Sequence, residues 1–507
     1  MPLDRNAFRA LPNSKGTDYF IVGWVYRLPM RIVMVSSEVA GFARTGGLGD
    51  AVRGLADALA KKGEEILLVT PRYGITSLDG EVESFSTLVC KVGDAEVTFG
   101  ALCVRTASGA RVLLVEHGSF DRPGIYGDAH GEYGDNHWRF ALLGSTALAA
   151  AESHFGAGKT DVLHAHDWQG AFSILAARVN NVARAMPRVR KIFTIHNLAY
   201  QGEADFATFQ ALGFTREFTH SHGVEHFGKV NLLKAACSFA DTVTTVSERY
   251  AKEVLTESFG CGLDGFLSSI RPKFVGIRNG IDQLSYNPST DPALVATYDA
   301  TTATVGKGEN KKKLCRELGV SSDGPLLGMV SRLTWQKGID QCLDHAGEIV
   351  AAGASMVIVG LGEHELEARA LSVAKSHPGR VAFVRAFDDA LARRVFAASD
   401  FFVVPSRFEP CGLVQMYAMR YGAVPIVSRV GGLVDSVEPL SAMYQLGTGW
   451  VVDSSASAWR LAFRDAQALY KEPEFMASTV SRAMNEDFSW AHAATEYLQR
   501  AYTSHVR

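Results

Sequence analysis

The chain has 507 residues, 47% hydrophobic and 21% charged, an ordinary globular composition spread over more length than one ordinary core uses. Its 51 Lys and Arg against 54 Asp and Glu leave a net charge of −3, without the basic excess that nucleic-acid binding relies on. No apolar run reaches the ~18 residues of a membrane span, and the seven scattered cysteines, with no CxxC pair, point to a reducing compartment rather than a disulfide framework or zinc site.

Residues 1–29 read as an N-terminal extension that the fold does not need, because the first strong strand pattern begins just after Met30. Arg31–Ser36 is an apolar run of buried-strand type, followed by a Gly-rich turn and a helical pattern across Ala51–Lys62. Further strands are predicted at Ile66–Thr70, Val112–Val115, Val162–Ala165, Ile192–Ile195, Val243–Val246 and Phe274–Ile277. After a polar stretch, Thr301–Lys313, the pattern restarts at Leu326–Val330 and continues at Met356–Val359, Val381–Val384, Phe401–Val404 and Val424–Val427. Ser489–Tyr502 reads as a final helix. Strands alternating with helices predict an α/β chain with parallel sheets in two Rossmann-like halves, hinged near Asn279–Pro288. Ligands of such sheets bind beyond the carboxyl ends of the strands.

Polar motifs stand at those ends. Arg44-Thr45-Gly46-Gly47-Leu48-Gly49-Asp50 opens the first helix, where amides and an arginine can cradle a phosphate; a tight turn with a surface arginine is the plainer alternative. It fits neither the dinucleotide nor the P-loop pattern. His164-Ala165-His166-Asp167-Trp168 ends the Val162 strand. Two histidines two apart with no third ligand at suitable spacing give no metal site. Asp167 suits sugar hydroxyls, and Trp168 is either a sugar platform or core. Thr194-Ile195-His196-Asn197 ends the next strand. In the second half, Arg332 and Lys337 in SRLTWQKG either converge on a diphosphate or are solvated surface cations. Pro405-Ser406-Arg407-Phe408-Glu409-Pro410-Cys411-Gly412-Leu413 leads into a helical segment, Leu413–Tyr421, whose first amides suit phosphate; Glu409 either holds a sugar hydroxyl or is a helix-start acid. Arg429-Val430-Gly431-Gly432-Leu433 reads as one more strand-to-helix junction.

Together RTGGLGD, HAHDW, TIHNLAYQG, RNGID, SRLTWQKG, PSRFEPCGL, RVGGLVDSV and DFSW resemble the glycogen/starch synthase family of retaining glucosyltransferases, from about Arg31 to Tyr502. The resemblance implies a GT-B fold with a central cleft. Residues 30–278 and the C-terminal helix, 489–507, would form the acceptor domain, and 279–488 the nucleotide-sugar domain. It implies a cytoplasmic enzyme that moves glucose from ADP-glucose to the non-reducing end of an α-1,4-glucan. No metal or cofactor, nucleic acid or membrane is called for. Arg332 and Lys337 would hold the diphosphate, and Glu409 the transferred glucose. The amides of Cys411, Gly412 and Leu413 would bind glucose and phosphate. His196, Asp167, Asp50 and Asn279 would line the sugar subsite, with Arg44, Gly46 and Gly47 at the donor and Phe387 near the base.

The sequence departs from the family pattern at Arg44, where lysine is usual, at Gln169, where histidine is usual, and at Val414, where threonine is common. Tyr417 stands where related transferases often carry a second glutamate. A UDP-glucose enzyme and a glucan-binding paralogue without turnover are the alternatives to an ADP-glucose synthase.

Overall fold

The structure is a computed structural model that describes residues 28–179, 189–215, 218–220, 222–441 and 446–503. The predicted extension, 1–29, lies outside the described residues apart from its last two, as do positions 504–507 of the C-terminal segment.

The first sheet contains β1 (Arg31–Val35), β2 (Glu65–Pro71), β3 (Glu81–Val92), β4 (Ala95–Arg105), β5 (Arg111–Glu116), β6 (Val162–His166), β7 (Arg190–Ile195), β8 (Thr242–Thr245) and β9 (Phe274–Gly276). Their spatial order is β9-β8-β7-β6-β1-β2-β5-β4-β3. Alternate residues of β1 belong to different cores. Val33 and Val35 face one apolar cluster, and Ile32 and Met34 face the other. A strand buried on both faces needs an unbroken apolar run, which is why RIVMV does not alternate with polar residues. The neighbours of β1, β2 and β6, are parallel to it, with Val33 opposite both Leu67 and Leu163.

The second sheet contains β10 (Leu326–Val330), β11 (Ser355–Val359), β12 (Val381–Val384), β13 (Phe401–Val404), β14 (Val424–Ser428) and β15 (Trp450–Val452). It is parallel throughout, in the order β12-β11-β10-β13-β14-β15, and encloses its own apolar core. Two Rossmann-like domains of this kind make a GT-B fold.

Several elements differ from the sequence reading. The hairpin β3–β4 is antiparallel, and most of β3 is exposed on the sheet edge, so it carries no buried apolar run to detect. The first helix starts at Gly47, inside the Gly-rich turn, and runs to Lys61. The polar stretch 301–313 is mostly helix, Ala303–Leu318, whose Lys307 is buried against the carbonyls of Ala397, Ser399 and Tyr421. The final helix is α-helical over Trp490–Glu496 and π-helical over Tyr497–Tyr502.

That last segment packs against the first sheet. Trp490, Tyr497 and Tyr502 join the cluster containing Ile32 and Met34, and Gly54 leaves the room that the Trp490 ring fills. The two chain crossings between domains run side by side, with the Ile281 amide donating to the Phe488 carbonyl at 2.8 Å. Among the described residues no helix is long and apolar enough to cross a membrane.

Candidate active site

The Gly-rich turn after β1 is shaped by a carboxylate that motif reading passed over. Glu38 is buried and accepts from the amides of Thr45 and Gly46 at 2.7 and 3.1 Å, from Thr45 Oγ1 at 2.9 Å and from Tyr126 Oη at 2.6 Å. Four donors hold this acid in place and thereby set the path of the turn. An acid three positions beyond a buried strand was the available signal. Beyond the turn, Arg44 Nη1 donates to both Asp50 oxygens at 2.6 and 2.7 Å. Burial pushes the Asp50 carboxyl up, against the pull of Arg44.

At the end of β6, Asp167 adopts φ +51° and turns its carboxylate toward the next strand end. Its Oδ1 accepts from the His196 amide at 2.7 Å and from the Asn197 amide at 3.4 Å. Burial raises its pKa to about 7 against those two amides. His166 Nδ1 and His196 Nε2 share a hydrogen bond of 3.0 Å. Burial of the ring holds His196 at about 3, although part of the residue reaches the surface. His164 is bonded to Tyr502 Oη at 2.8 Å and Thr194 Oγ1 at 2.6 Å, so it belongs to the packing of the C-terminal segment. Trp168 is buried edge-on to Phe140 and against His137, which makes it core rather than an exposed platform.

In the second domain, Lys337 Nζ lies 2.5 Å from Glu409 Oε2, which also accepts from Ser406 Oγ at 2.9 Å. Arg332 is exposed and has no ion-pair partner among the described residues. Gly412, at φ +68°, and Leu413 lead into the helix Val414–Arg420. The Asn279 amide faces the Cys411 thiol, which burial pushes up to about 12. Gly431, at φ +44°, packs so closely under this loop that a Cβ would overlap the Glu409 carbonyl oxygen.

The two halves meet here. A Cβ on Gly47 would lie 3.4 Å from Leu413 Cδ1. Arg44 Nη2 also donates to Asp389, the first residue of a helix in the second domain. Tyr286 stacks on Tyr417 with ring centroids 3.9 Å apart, and both lie within the field of Arg44 and Asp50. Asp389 and Tyr286 had no motif to mark them. Phe387 stands apart as an exposed ring just before that helix.

Residues 31–269 match the starch synthase catalytic domain, and residues 310–483 match glycosyl transferases group 1. The glycogen synthase of Myxococcus xanthus is 39% identical over 479 residues, covering 92% of this chain and 98% of that protein. The chain belongs to the glycogen/starch synthase family. A second relative, the glycogen synthase of an Anaeromyxobacter species, is 40% identical over 474 residues, with coverage of 92% and 98%. The catalytic domain of starch synthase IV from Arabidopsis thaliana, solved with ADP and acarbose, superposes with a TM-score of 0.85 at 32% identity, over 94% of this chain and 99% of that one. Sucrose-phosphate synthase from Thermosynechococcus elongatus, at 18% identity and TM-score 0.57, shares the fold. As a family member this chain is a glycosyltransferase of glycogen or starch synthesis.

Proposed function

We propose that the chain transfers glucose from ADP-glucose to the non-reducing 4-hydroxyl of an α-1,4-glucan with retention of configuration. The observation that carries this is the pairing of Lys337 with Glu409 in the loop that continues to Leu413, which meets Gly47 of the other domain, together with an exposed Arg332 that has no ion-pair partner among the described residues. An ammonium and a guanidinium at one strand end suit a diphosphate, and a buried carboxylate next to them suits sugar hydroxyls. The Arabidopsis starch synthase solved with ADP supports the adenine donor.

In this reading residues 279–488 bind the donor, and 30–278 with the C-terminal helix bind the acceptor. The glucose C1–phosphate oxygen bond breaks while acceptor O4 attacks the same face. The O4 proton passes to the departing phosphate oxygen, whose growing charge Arg332 and Lys337 offset. Glu409 and the Cys411, Gly412 and Leu413 amides hold the sugar and phosphate. Arg44 and the Gly47 amide close on the donor from the other side, at a turn whose Gly46 amide is held by Glu38. Asp50, Asp167, Asn279 and His196 line the glucose pocket, and Phe387 covers the base. Closure of the domains excludes water, which competes with the glucan as acceptor.

The test offers labelled ADP-glucose and UDP-glucose with glycogen, then digests the product with β-amylase. Label from ADP-glucose released as maltose is the expected result. No incorporation, or incorporation from UDP-glucose alone, rejects the proposal.

A further inference from the structure

A short three-stranded sheet lies directly beyond the His196 loop. Glu203–Ala204 pairs with Lys229–Asn231, which pairs with Glu225–His226. The last two form a hairpin whose turn is Phe227-Gly228, at φ +48° and +78°. Two positive φ angles are the mark of a type I′ turn, which favours Asn-Gly or Asp-Gly. A bulky aromatic is an outlier there. The ring is also 86% exposed, so neither backbone preference nor burial accounts for phenylalanine at this tip. Strain combined with exposure directs attention to what the ring meets outside the chain.

The surroundings indicate the partner. The Phe227 ring lies 4.5 Å from that of His226, and both border Gly262, where an added Cβ would sit 3.7 Å from His226 and 3.9 Å from Phe227. Gln201 ties this tip to the His196 loop. It donates to the Cys261 carbonyl at 3.0 Å and the Leu198 carbonyl at 3.2 Å, and accepts from Asn231 at 2.5 Å. Charged groups flank the ring. Lys229 pairs with Glu203 at 3.1 Å, and Glu225 accepts from the Gly228 amide at 3.0 Å. One aromatic face among charges offers far less apolar area than the ~1,000 Å² of a specific protein interface. It matches a sugar ring, which has one apolar face and a rim of hydroxyls.

We infer that Phe227 is the platform of an outlying subsite for the α-glucan acceptor, stacking on a glucosyl unit remote from the one that reacts. This rests on the glucan acceptor proposed above.

The test compares wild type with Phe227→Asn and Phe227→Trp. Asparagine suits the turn better, so its melting temperature is expected to equal or exceed that of wild type. Its KM for glycogen is expected to rise about three- to tenfold, an effect that shrinks as the acceptor is shortened to maltose, while Phe227→Trp stays near wild type. An unchanged glycogen KM in Phe227→Asn, or equal loss in Phe227→Trp, overturns the inference. A wild-type dimer that Phe227→Asn converts to monomer overturns it in favour of self-association. Calorimetric titration with maltoheptaose reads the same site without turnover. If wild type transfers nothing from ADP-glucose but binds maltoheptaose more tightly than Phe227→Asn, the donor reading fails and this one stands.

Discussion

Arg44 donates across the cleft to Asp389, a residue 345 positions away, while its other terminal nitrogen grips Asp50 in its own domain. One guanidinium therefore joins the Gly-rich turn to the helix Asp389–Ala398 in the opposite domain. A lysine has a single nitrogen and cannot make this fork. The cation that would meet donor phosphate is thus already shared between two carboxylates.

Asp389 is half exposed, so its ion pair contributes only about 0–1 kcal/mol to stability. Asp389→Ala is expected to leave the melting temperature within a few degrees of wild type while changing the KM for nucleotide sugar. Arg44→Ala is expected to lower kcat/KM for the donor by about 10²–10³. Steady-state kinetics on both variants checks the pair; equal kinetics for Arg44→Ala and wild type would remove Arg44 from the donor site.

Lys337 and Glu409 form a largely buried pair. Lys337→Ala leaves the carboxylate with Ser406 as its side-chain donor, and is expected to cost about 3–5 kcal/mol of stability and most turnover. Adding Glu409→Ala removes the stranded charge. The double variant is expected to recover part of the stability and none of the activity, as read by urea unfolding and glucose transfer.

Two glycines separate close approach to a ligand from packing within the chain. Gly46 has extended φ of −161°, and nothing lies within 4 Å of an added Cβ. Gly46→Ala is expected to keep the melting temperature and lose donor affinity. A Cβ on Gly432 would overlap the Cys411 carbonyl, so Gly432→Ala is expected to lower both stability and activity. Thermal melts beside donor KM values distinguish the two outcomes.

Burial, and secondarily His196, holds His164 at about 3, well below the ordinary 6.5. The unfolded chain then takes up a proton that the native one does not, so stability is expected to rise as pH climbs from about 3 to 6.5. The slope is about 1.4 kcal/mol per pH unit for each such group. Asp167, raised by burial to about 7, works oppositely: the native state keeps a proton that the unfolded chain loses above about 4, so stability falls through pH 4–7. Asp167→Asn keeps an oxygen for the His196 amide and is expected to steepen the rise. Urea unfolding at pH 4.5, 5.5 and 6.5 measures both slopes.

The parallel strands were legible because burial on both faces demands apolar runs: LLGMV and FFVV have no polar residue, and RIVMV has only the arginine at its start. The candidate site was legible where short motifs followed those runs, as with Asp167 and His196 or Lys337 and Glu409. The β3–β4 hairpin escaped because its outer strand is exposed, and the helix Ala303–Leu318 because lysines and glycines mask its buried side. Glu38 escaped because an acid beside a strand looks alike whether it is solvated or holds four donors.

Sequence alone determined most of the buried parallel strands, the polar clusters at their ends and the family, since these depend on local pattern and on spacing. Only the tertiary structure decided which partners those residues find: Arg44 with Asp389, His164 with Tyr502, Trp168 with Phe140, and Phe227 exposed on a strained turn. Such pairings join residues tens to hundreds of positions apart, and their geometry is set by how two sheets twist and face each other. Local sequence carries no record of that distance.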